Sequence, residues 1–443
     1  MKKIKILDCT LRDGGYYNNW DFSNFLINNY LKATAAAGVD YVELGFRSLD
    51  KTSFKGACAY TKDDFIENLN IPKKLKIAVM VNASELISYK TKNPIKNIKL
   101  LFNHKKKSKV SLVRIAAHYF EIFKIIKVIK QLKKLGYKVA LNIMQIADRS
   151  DQEIQSISKI ISKTPLDIIY FADSMGSLDL KRITKIIKIL KTNWKKSVGI
   201  HTHDNMSRAA INTNVAVNNG VDWIDGTVTG MGRGPGNAKT EYLVIEYEKN
   251  LNRKVNLIPL LELIDKHFKS LMEKYKWGTN PFYFMAGIHG IHPTFIQSML
   301  IDLKLEPLEI LSAIDNLKKR DGKNFNKNLI EVGKNLYQGK TTGTWNPFKL
   351  IKGKDVLIIG SGPGSLKHSK AIENFITKNK LFVIALNAQK TINEKLINLR
   401  VCCHTLRIMS DINIFKKITQ PLVLPLDSLP SHQKAKFKKL KIY

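Results

Sequence analysis

The chain has 443 residues, 44% of them apolar, and a formal charge of +36. It is too long for one ordinary domain and rich enough in apolar residues for a substantial core. The absence of any run of about 18 uncharged apolar residues excludes a membrane-spanning helix. The positive excess is almost all lysine and is spread from end to end with arginine scarce, which argues against specific nucleic-acid recognition and for attraction to acidic ligands or partners.

The first segment, "MKKIKILD", is interrupted by Asp8 and lacks a small-residue cleavage site, so it reads as a β-strand and not as a leader. Strand-like runs follow at 39–46, 76–82, 110–118, 138–147, 167–176, 197–205 and 221–232, making eight with 3–8. They are apolar on both faces, as a parallel sheet covered by helices requires. Helix-period segments lie between them, two of which end in the C-cap glycines Gly38 and Gly136. Eight β/α units in this length predict a TIM (β/α)8 barrel over residues 1–250. Residues 251–345 are expected to form a helical extension closing the active site. The four cysteines, Cys9, Cys58, Cys402 and Cys403, have no framework spacing and read as reduced thiols of a cytoplasmic protein.

In such a barrel the chemistry sits at the C-terminal strand ends, and the unusual polar residues fall there. Arg12 and Asp13 follow strand one, Glu43 is late in strand two, and Arg114 and His118 lie on strand four. Asp173 and Ser174 end strand six, and His201 and His203 end strand seven. The stretch after Arg12–Asp13 reads as irregular, with Gly14 and Gly15 allowing a tight turn. Residues i and i+2 of a strand point the same way, so His201 and His203 can share one divalent ion with Asp13, two strands away. Nitrogen and oxygen donors without a thiolate suit Mn²⁺, Mg²⁺, Co²⁺ or Fe²⁺. Asp204, alternating away, is expected to orient a ligand or bind backbone. Arg12 supplies fixed positive charge for an enolate oxygen developing beside the metal. The loop "GMGRGPGN" (230–237), including Gly234, offers backbone amides to an anion, and Asn237 an outer or fourth ligand.

After a turn-rich boundary at 337–348, residues 352–443 begin as strand, glycine loop, helix and strand, a Rossmann-like start that is short for a complete domain. Gly360, Gly362 and Gly364 mark a loop for a nucleotide or nucleotide-linked sugar. Ser365 replaces the third glycine of the dinucleotide fingerprint, and Asn387 stands where its acidic residue belongs.

"DCTLRDG" (8–14), "HTHDN" (201–205) and "GMGRGPGN", in that order and at barrel spacing, resemble the DRE-TIM metallolyase superfamily, also called HMG-CoA lyase-like or pyruvate carboxyltransferase. The resemblance covers roughly residues 1–340. Within it, "AGIHGIHPTFIQSML" (286–300) points to the 4-hydroxy-2-oxovalerate aldolases. The resemblance implies Asp13, His201, His203 and Asn237 as metal ligands, Arg12 as enolate stabiliser, and Ser174 near the substrate carboxylate. His118, Arg114 and Gly234 complete the expected substrate site. It implies a divalent-metal cofactor, Mn²⁺ foremost, then Mg²⁺ or Co²⁺. The activity implied is cleavage or formation of a 4-hydroxy-2-oxo acid, giving pyruvate and an aldehyde, through a metal-bound enolate. It permits an aldehyde dehydrogenase partner or a homo-oligomer. Two alternatives stand beside this: a Claisen-type synthase acting on an acyl-CoA and a 2-oxo acid, and a non-catalytic scaffold whose C-terminal domain binds a nucleotide sugar.

Two departures touch the substrate. The aldolases carry a histidine three positions past the aspartate, where this chain has Tyr16, and a tyrosine in the extension, where it has His292. The acid–base work then falls to His292 or His118, with a changed substrate. The other reading is that Tyr16 only hydrogen-bonds a substrate hydroxyl.

Overall fold

The computed structural model describes residues 3–89, 92–251, 254–302, 305, 307–319, 322–323, 325–326 and 345–425. It divides into two units, Met1–Lys304 with Arg320–Phe325, and Leu305–Lys319 with Asn326–Tyr443. The residues 337–344 of the expected boundary, and much of the later part of the expected extension, lie outside the described residues.

In the first unit, β1 (Lys5–Asp8), β2 (Tyr41–Phe46), β3 (Lys76–Asn82), β4 (Val110–Ala117), β5 (Lys138–Ile143), β6 (Ile168–Asp173), β7 (Ser197–Thr202) and β8 (Trp223–Gly226) form a closed barrel in sequence order. Closure is parallel, with Leu7 opposite Tyr41 on one side and Asp225 on the other. The strands are buried on both faces because helices cover the outside. The helix Ile122–Lys134 shows how. Ile122, Ile125, Val128, Ile129 and Leu132 recur at helical spacing, all are buried, and Gly136 beyond the end adopts φ +91°. The helix Asn24–Ala36 is N-capped by Ser23 and followed by Gly38 at φ +84°.

Inside the barrel, Leu7, Tyr41, Leu112, Ile168, Tyr170 and Trp223 belong to one apolar layer. The Arg114 guanidinium carbon lies 4.2 Å from the centre of the Tyr170 ring. A packed floor thus supports the charged mouth.

Several strands are shorter than their sequence runs. Beyond the strand ends, pairing after β7 and β8 is reduced to isolated bridges, His203 with Asn237 and Thr227 with Lys239, and after β5 Gln145 turns into the left-handed region at φ 54°. The stretch after Arg12 also differs from expectation. Thr10–Asp13 is a helical turn continued by a tighter one over Gly14–Tyr17, and neither glycine has a positive φ. Their smallness serves clearance instead. A Cβ on Gly15 would sit 2.0 Å from the Trp20 ring, and one on Gly14 2.8 Å from Met231 Sδ.

The second unit holds β9 (Val356–Ile359), β10 (Phe382–Leu386), β11 (Leu399–Val401) and β12 (Leu422–Val423), all parallel and in sequence order. Among the described residues this order never reverses, so the sheet has no topological switch point, the crevice where doubly wound folds bind nucleotides. Gly360 and Gly362 lie in the exposed turn after β9, and Gly364, also exposed, in the short helix Pro363–Lys367 that follows. None has a positive φ, and a Cβ on any of them would meet nothing within 4 Å. No helix among the described residues is long and apolar enough to cross a membrane.

Candidate active site

The end of β1 and the end of β7 bring Asp13, His201 and His203 together. One ligand atom from each lies within 4.8 Å of the others, and all three side chains are buried. Asn237 enters through an isolated antiparallel bridge with His203. Its Nδ2 donates to Asp13 Oδ2 at 2.7 Å and lies 3.4 Å from His201 Nε2. Asp204 turns the other way. Its carboxylate accepts from Ala209 N at 2.9 Å, so of its two expected roles it takes the backbone one.

The loop after β8 shapes this corner. Gly236 has φ +77°, and a Cβ there would fall 2.1 Å from the Gly230 carbonyl oxygen, so only glycine fits. A Cβ on Gly232 would sit 2.5 Å from Asn237 Oδ1 and 3.0 Å from Asp13 Oδ2. Gly234 has its amide occupied: its N–H donates to Gln297 Oε1 at 3.0 Å, and its carbonyl accepts from Tyr17 OH at 3.0 Å.

A continuous chain of charged pairs runs beneath these residues. Arg12 Nη1 donates to Asp13 Oδ1 at 2.6 Å and Arg12 Nε to Glu43 Oε2 at 2.8 Å. Arg114 Nη1 lies 3.3 Å from both Glu43 oxygens, and Arg114 Nη2 donates to Asp225 Oδ2 at 2.6 Å. Asp225 Oδ2 is also 2.9 Å from His201 Nδ1. Three carboxylates face two guanidiniums along this chain, leaving one negative charge for a cation to meet. Arg114, expected among the substrate contacts, has no solvent exposure and is committed to Glu43 and Asp225.

The donor set fits a divalent ion. With Nδ1 facing the Asp225 carboxylate, His201 carries its proton there and leaves the Nε2 lone pair on the side of Asp13. His203 Nδ1 and Asn237 Oδ1 are buried without a hydrogen-bond partner among the described residues. Burial pushes His203 down to about 3, with His201 adding to the effect and Asp13 opposing it, so the ring is a neutral donor. Burial alone would raise Asp13. Arg12 foremost, then His203, His201 and Arg233, outweigh it and hold the carboxyl below its usual range. A second trio, Cys9, His201 and Asp225, is also within ligand reach. It suits a metal less well, because burial pushes the Cys9 thiol well up and Asp225 is already paired to Arg114.

Around the mouth, His292 is held by Thr294 N–H donating to its Nδ1 at 3.3 Å, which leaves Nε2–H as a donor. Burial first, then the charges of Arg233, His203 and His118, bring it down to about 2. His118 follows β4 half-buried, its backbone N–H donating to Glu121 at 2.8 Å. Ser174 Oγ accepts from Gln145 N at 3.0 Å. Tyr16 is 39% exposed and packs edge-on against Trp20, with the Arg233 guanidinium 5.7 Å from its ring centre.

Sequence reading noted Glu43 without a role and missed Asp225 and Arg233. "VDWIDG" did carry a signal for Asp225, an acid inside a buried strand. Arg233 was hidden in a loop read for its glycines.

Residues 3–265 match the family described as HMGL-like. A 4-hydroxy-2-oxovalerate aldolase of Geobacillus thermodenitrificans is 29% identical over 269 residues, 60% of this chain and 75% of the relative. One from Carboxydothermus hydrogenoformans is 25% identical over 72% of this chain and 94% of its own. Among solved structures, the N-terminal domain of a Bacteroides vulgatus protein provisionally assigned as an aldolase is 33% identical, with a TM-score of 0.60. The match covers 70% of this chain and 99% of that one.

Proposed function

The chain belongs to the HMGL-like family, and from that premise we propose that it is a divalent-metal-dependent carbon–carbon lyase that cleaves, or in reverse forms, a 4-hydroxy-2-oxo acid, giving pyruvate and an aldehyde. The observation that carries this reading is Arg12. Its Nη1 is fixed on Asp13, while its buried Nη2 has no hydrogen-bond partner among the described residues. A charged donor left unsatisfied in a buried site is costly unless a ligand meets it.

A divalent ion held by Asp13, His201 and His203, with Asn237 beside them, supplies Lewis acidity toward the keto oxygen of a 2-oxo acid, and Mn²⁺ suits this donor set. Arg12 Nη2 donates to the oxygen on which negative charge develops as the C3–C4 bond breaks. Glu43 and Asp13 hold that guanidinium in place from either side. Ser174, whose Oγ already accepts from Gln145, keeps its O–H to donate to the substrate carboxylate. His292 stays neutral, and its Nε2–H hydrogen-bonds the C4 oxygen, polarising the aldehyde in condensation and stabilising the alkoxide in cleavage. His118, half-buried and within electrostatic reach of His292, takes up the C4 hydroxyl proton in cleavage and returns it in condensation.

The test is a screen of 4-hydroxy-2-oxo acids, scored by pyruvate release from the Mn²⁺-loaded protein. It is joined by NMR measurement of solvent exchange at the pyruvate methyl group. Both are expected, and both are expected to vanish in Asp13→Asn. Neither appearing in the wild type, or both persisting in Asp13→Asn, overturns the reading.

A further inference from the structure

Beside the metal-ligating corner, at the same end of the barrel, lies a cavity of about 360 Å³, within the size range of small-ligand sites. One wall is aromatic: Tyr16, Trp20 and Phe46, with ring centres 4.8 to 6.3 Å apart. The rest of the lining is mainly polar and includes Asn82, Ser84 and Glu85.

Chain connectivity joins this cavity to the chemistry. Tyr16 and Trp20 belong to the same β1 loop as Arg12 and Asp13, and Trp20 Nε1 donates to the Arg12 carbonyl at 2.8 Å. Phe46 ends β2, the strand that carries Glu43, and Asn82 ends the adjoining β3. Arg233, whose charge is felt by Asp13 and His292, lies over the Tyr16 ring that walls the cavity. The β1 loop thus links the cavity wall to Arg12 and Asp13.

The polar wall is equipped for ligand hydroxyls. The Asn82 and Ser84 side chains make no hydrogen bond among the described residues, although Asn82 stands at a helix start where its side chain would ordinarily cap. Glu85 uses Oε1 to accept from Ser48 Oγ at 2.9 Å, from Asp50 N at 2.7 Å and from Leu49 N, which leaves Oε2 open. An amide, a hydroxyl and a carboxylate oxygen sharing a cavity with an aromatic face match a chain of C–OH groups, polar at its oxygens and apolar along its C–H edge. Glu85 repels a phosphate or carboxylate terminus. Lys55, the cation of the wall, is already paired with Asp50 at 2.5 Å.

We propose that this cavity receives the part of the substrate beyond C4 and that this part is an uncharged polyhydroxylated chain, so that the aldehyde partner is sugar-like. The inference rests on the pyruvate-enolate reading above. The step is balanced without a further reactant: the C3–C4 bond forms as C3 loses a proton and the aldehyde oxygen gains one, with no change in oxidation state.

The test runs in the condensation direction with Mn²⁺-loaded protein and pyruvate. It compares glyceraldehyde and erythrose with propanal and butanal, aldehydes of equal chain length. The hydroxylated partners are expected to have the higher kcat/KM by about tenfold or more, since groups built to bind hydroxyls are left unpaired by an alkyl chain. In Asn82→Leu that ratio is expected to fall toward one. Solvent exchange at the pyruvate methyl group, measured without any aldehyde, separates the two readings. Exchange with no preference for hydroxylated partners in the wild type, or a preference unchanged in Asn82→Leu, overturns this inference alone. Absence of both exchange and condensation overturns the enolate reading and this one with it.

Discussion

His201 Nδ1 and Asp225 Oδ2 lie 2.9 Å apart at the floor of the site, and the same oxygen accepts from Arg114. The carboxylate therefore fixes which histidine nitrogen carries the proton and leaves the other free for a cation. Asp225→Asn keeps the shape but weakens that tautomer preference. Mn²⁺ affinity, measured by titration, is expected to fall about 10–100-fold, the usual cost of losing such an orienting partner. Unchanged affinity would show that His201 is positioned by packing alone.

Arg114 is a different kind of residue. It is enclosed, lies over Tyr170, and neutralises Glu43 and Asp225. Arg114→Met leaves two buried carboxylates short of a partner. A loss of about 3–5 kcal/mol is expected in urea unfolding of the metal-free protein. A loss below about 1 kcal/mol would mean that water or another cation replaces it.

Gly232 and Gly236 separate shape from backbone strain. Gly236→Ala meets both a positive φ and a backbone oxygen, so it is expected to damage the fold. Gly232 has no positive φ, and its added methyl would press first on the Asn237 and Asp13 side chains. Gly232→Ala is expected to unfold near the wild-type temperature yet lose about 10²-fold in turnover, because small displacements of reacting groups are that costly. Thermal melts read beside pyruvate release check this, and parallel losses in both would refute it.

The barrel and the clustering of Asp13, His201 and His203 were legible because both rest on short-range regularities. Strands buried on two faces announce a covered parallel sheet, and His201 and His203 two apart on a strand must share a side. Glu43 and Asp225 were harder, since each gains its role from partners 24 to 111 positions away: Arg12 and Arg114 for the first, Arg114 and His201 for the second. The β1 loop misled for a related reason. Gly14 and Gly15 suggested an unusual backbone, whereas they are needed to admit Met231 and Trp20 side chains that only the folded chain brings near.

Asp173 gives the fold a pH dependence with a definite sign. It is buried at the end of β6 and accepts from Ser177 N at 2.9 Å and Leu178 N at 3.2 Å, yet burial raises it to about 7. Between its ordinary value of 3.8 and about 7 the native state holds more protons here than the unfolded chain does. Stability from this group is therefore present at low pH and is lost as pH rises through that window, by about 4 kcal/mol in all. Asp173→Asn lacks the ionisation, so its stability relative to wild type should improve between pH 4 and pH 8. A difference in urea midpoints that stays flat across that range excludes the effect.

Tyr16 and His292 occupy the two positions where this chain departs from the aldolases, and the structure gives them unequal surroundings. Tyr16 is partly exposed and packs on Trp20 and Phe46. His292 is half-buried, with Nδ1 occupied by Thr294 N–H, and close enough to His203, Arg233 and His118 to feel their charges. A side chain in the first setting shapes a binding wall, and one in the second can meet a reacting oxygen. His292→Ala is expected to lower kcat by about 10²-fold or more, the range for losing a positioned hydrogen-bond donor to developing charge. Tyr16→Phe retains the ring and its packing and is expected to keep kcat within about threefold, any effect falling on KM for the aldehyde. Pyruvate-release kinetics on the two variants decide it. A Tyr16→Phe loss as large as that of His292→Ala would show that the tyrosine hydroxyl also meets the reacting oxygen and that His292 does not act there alone.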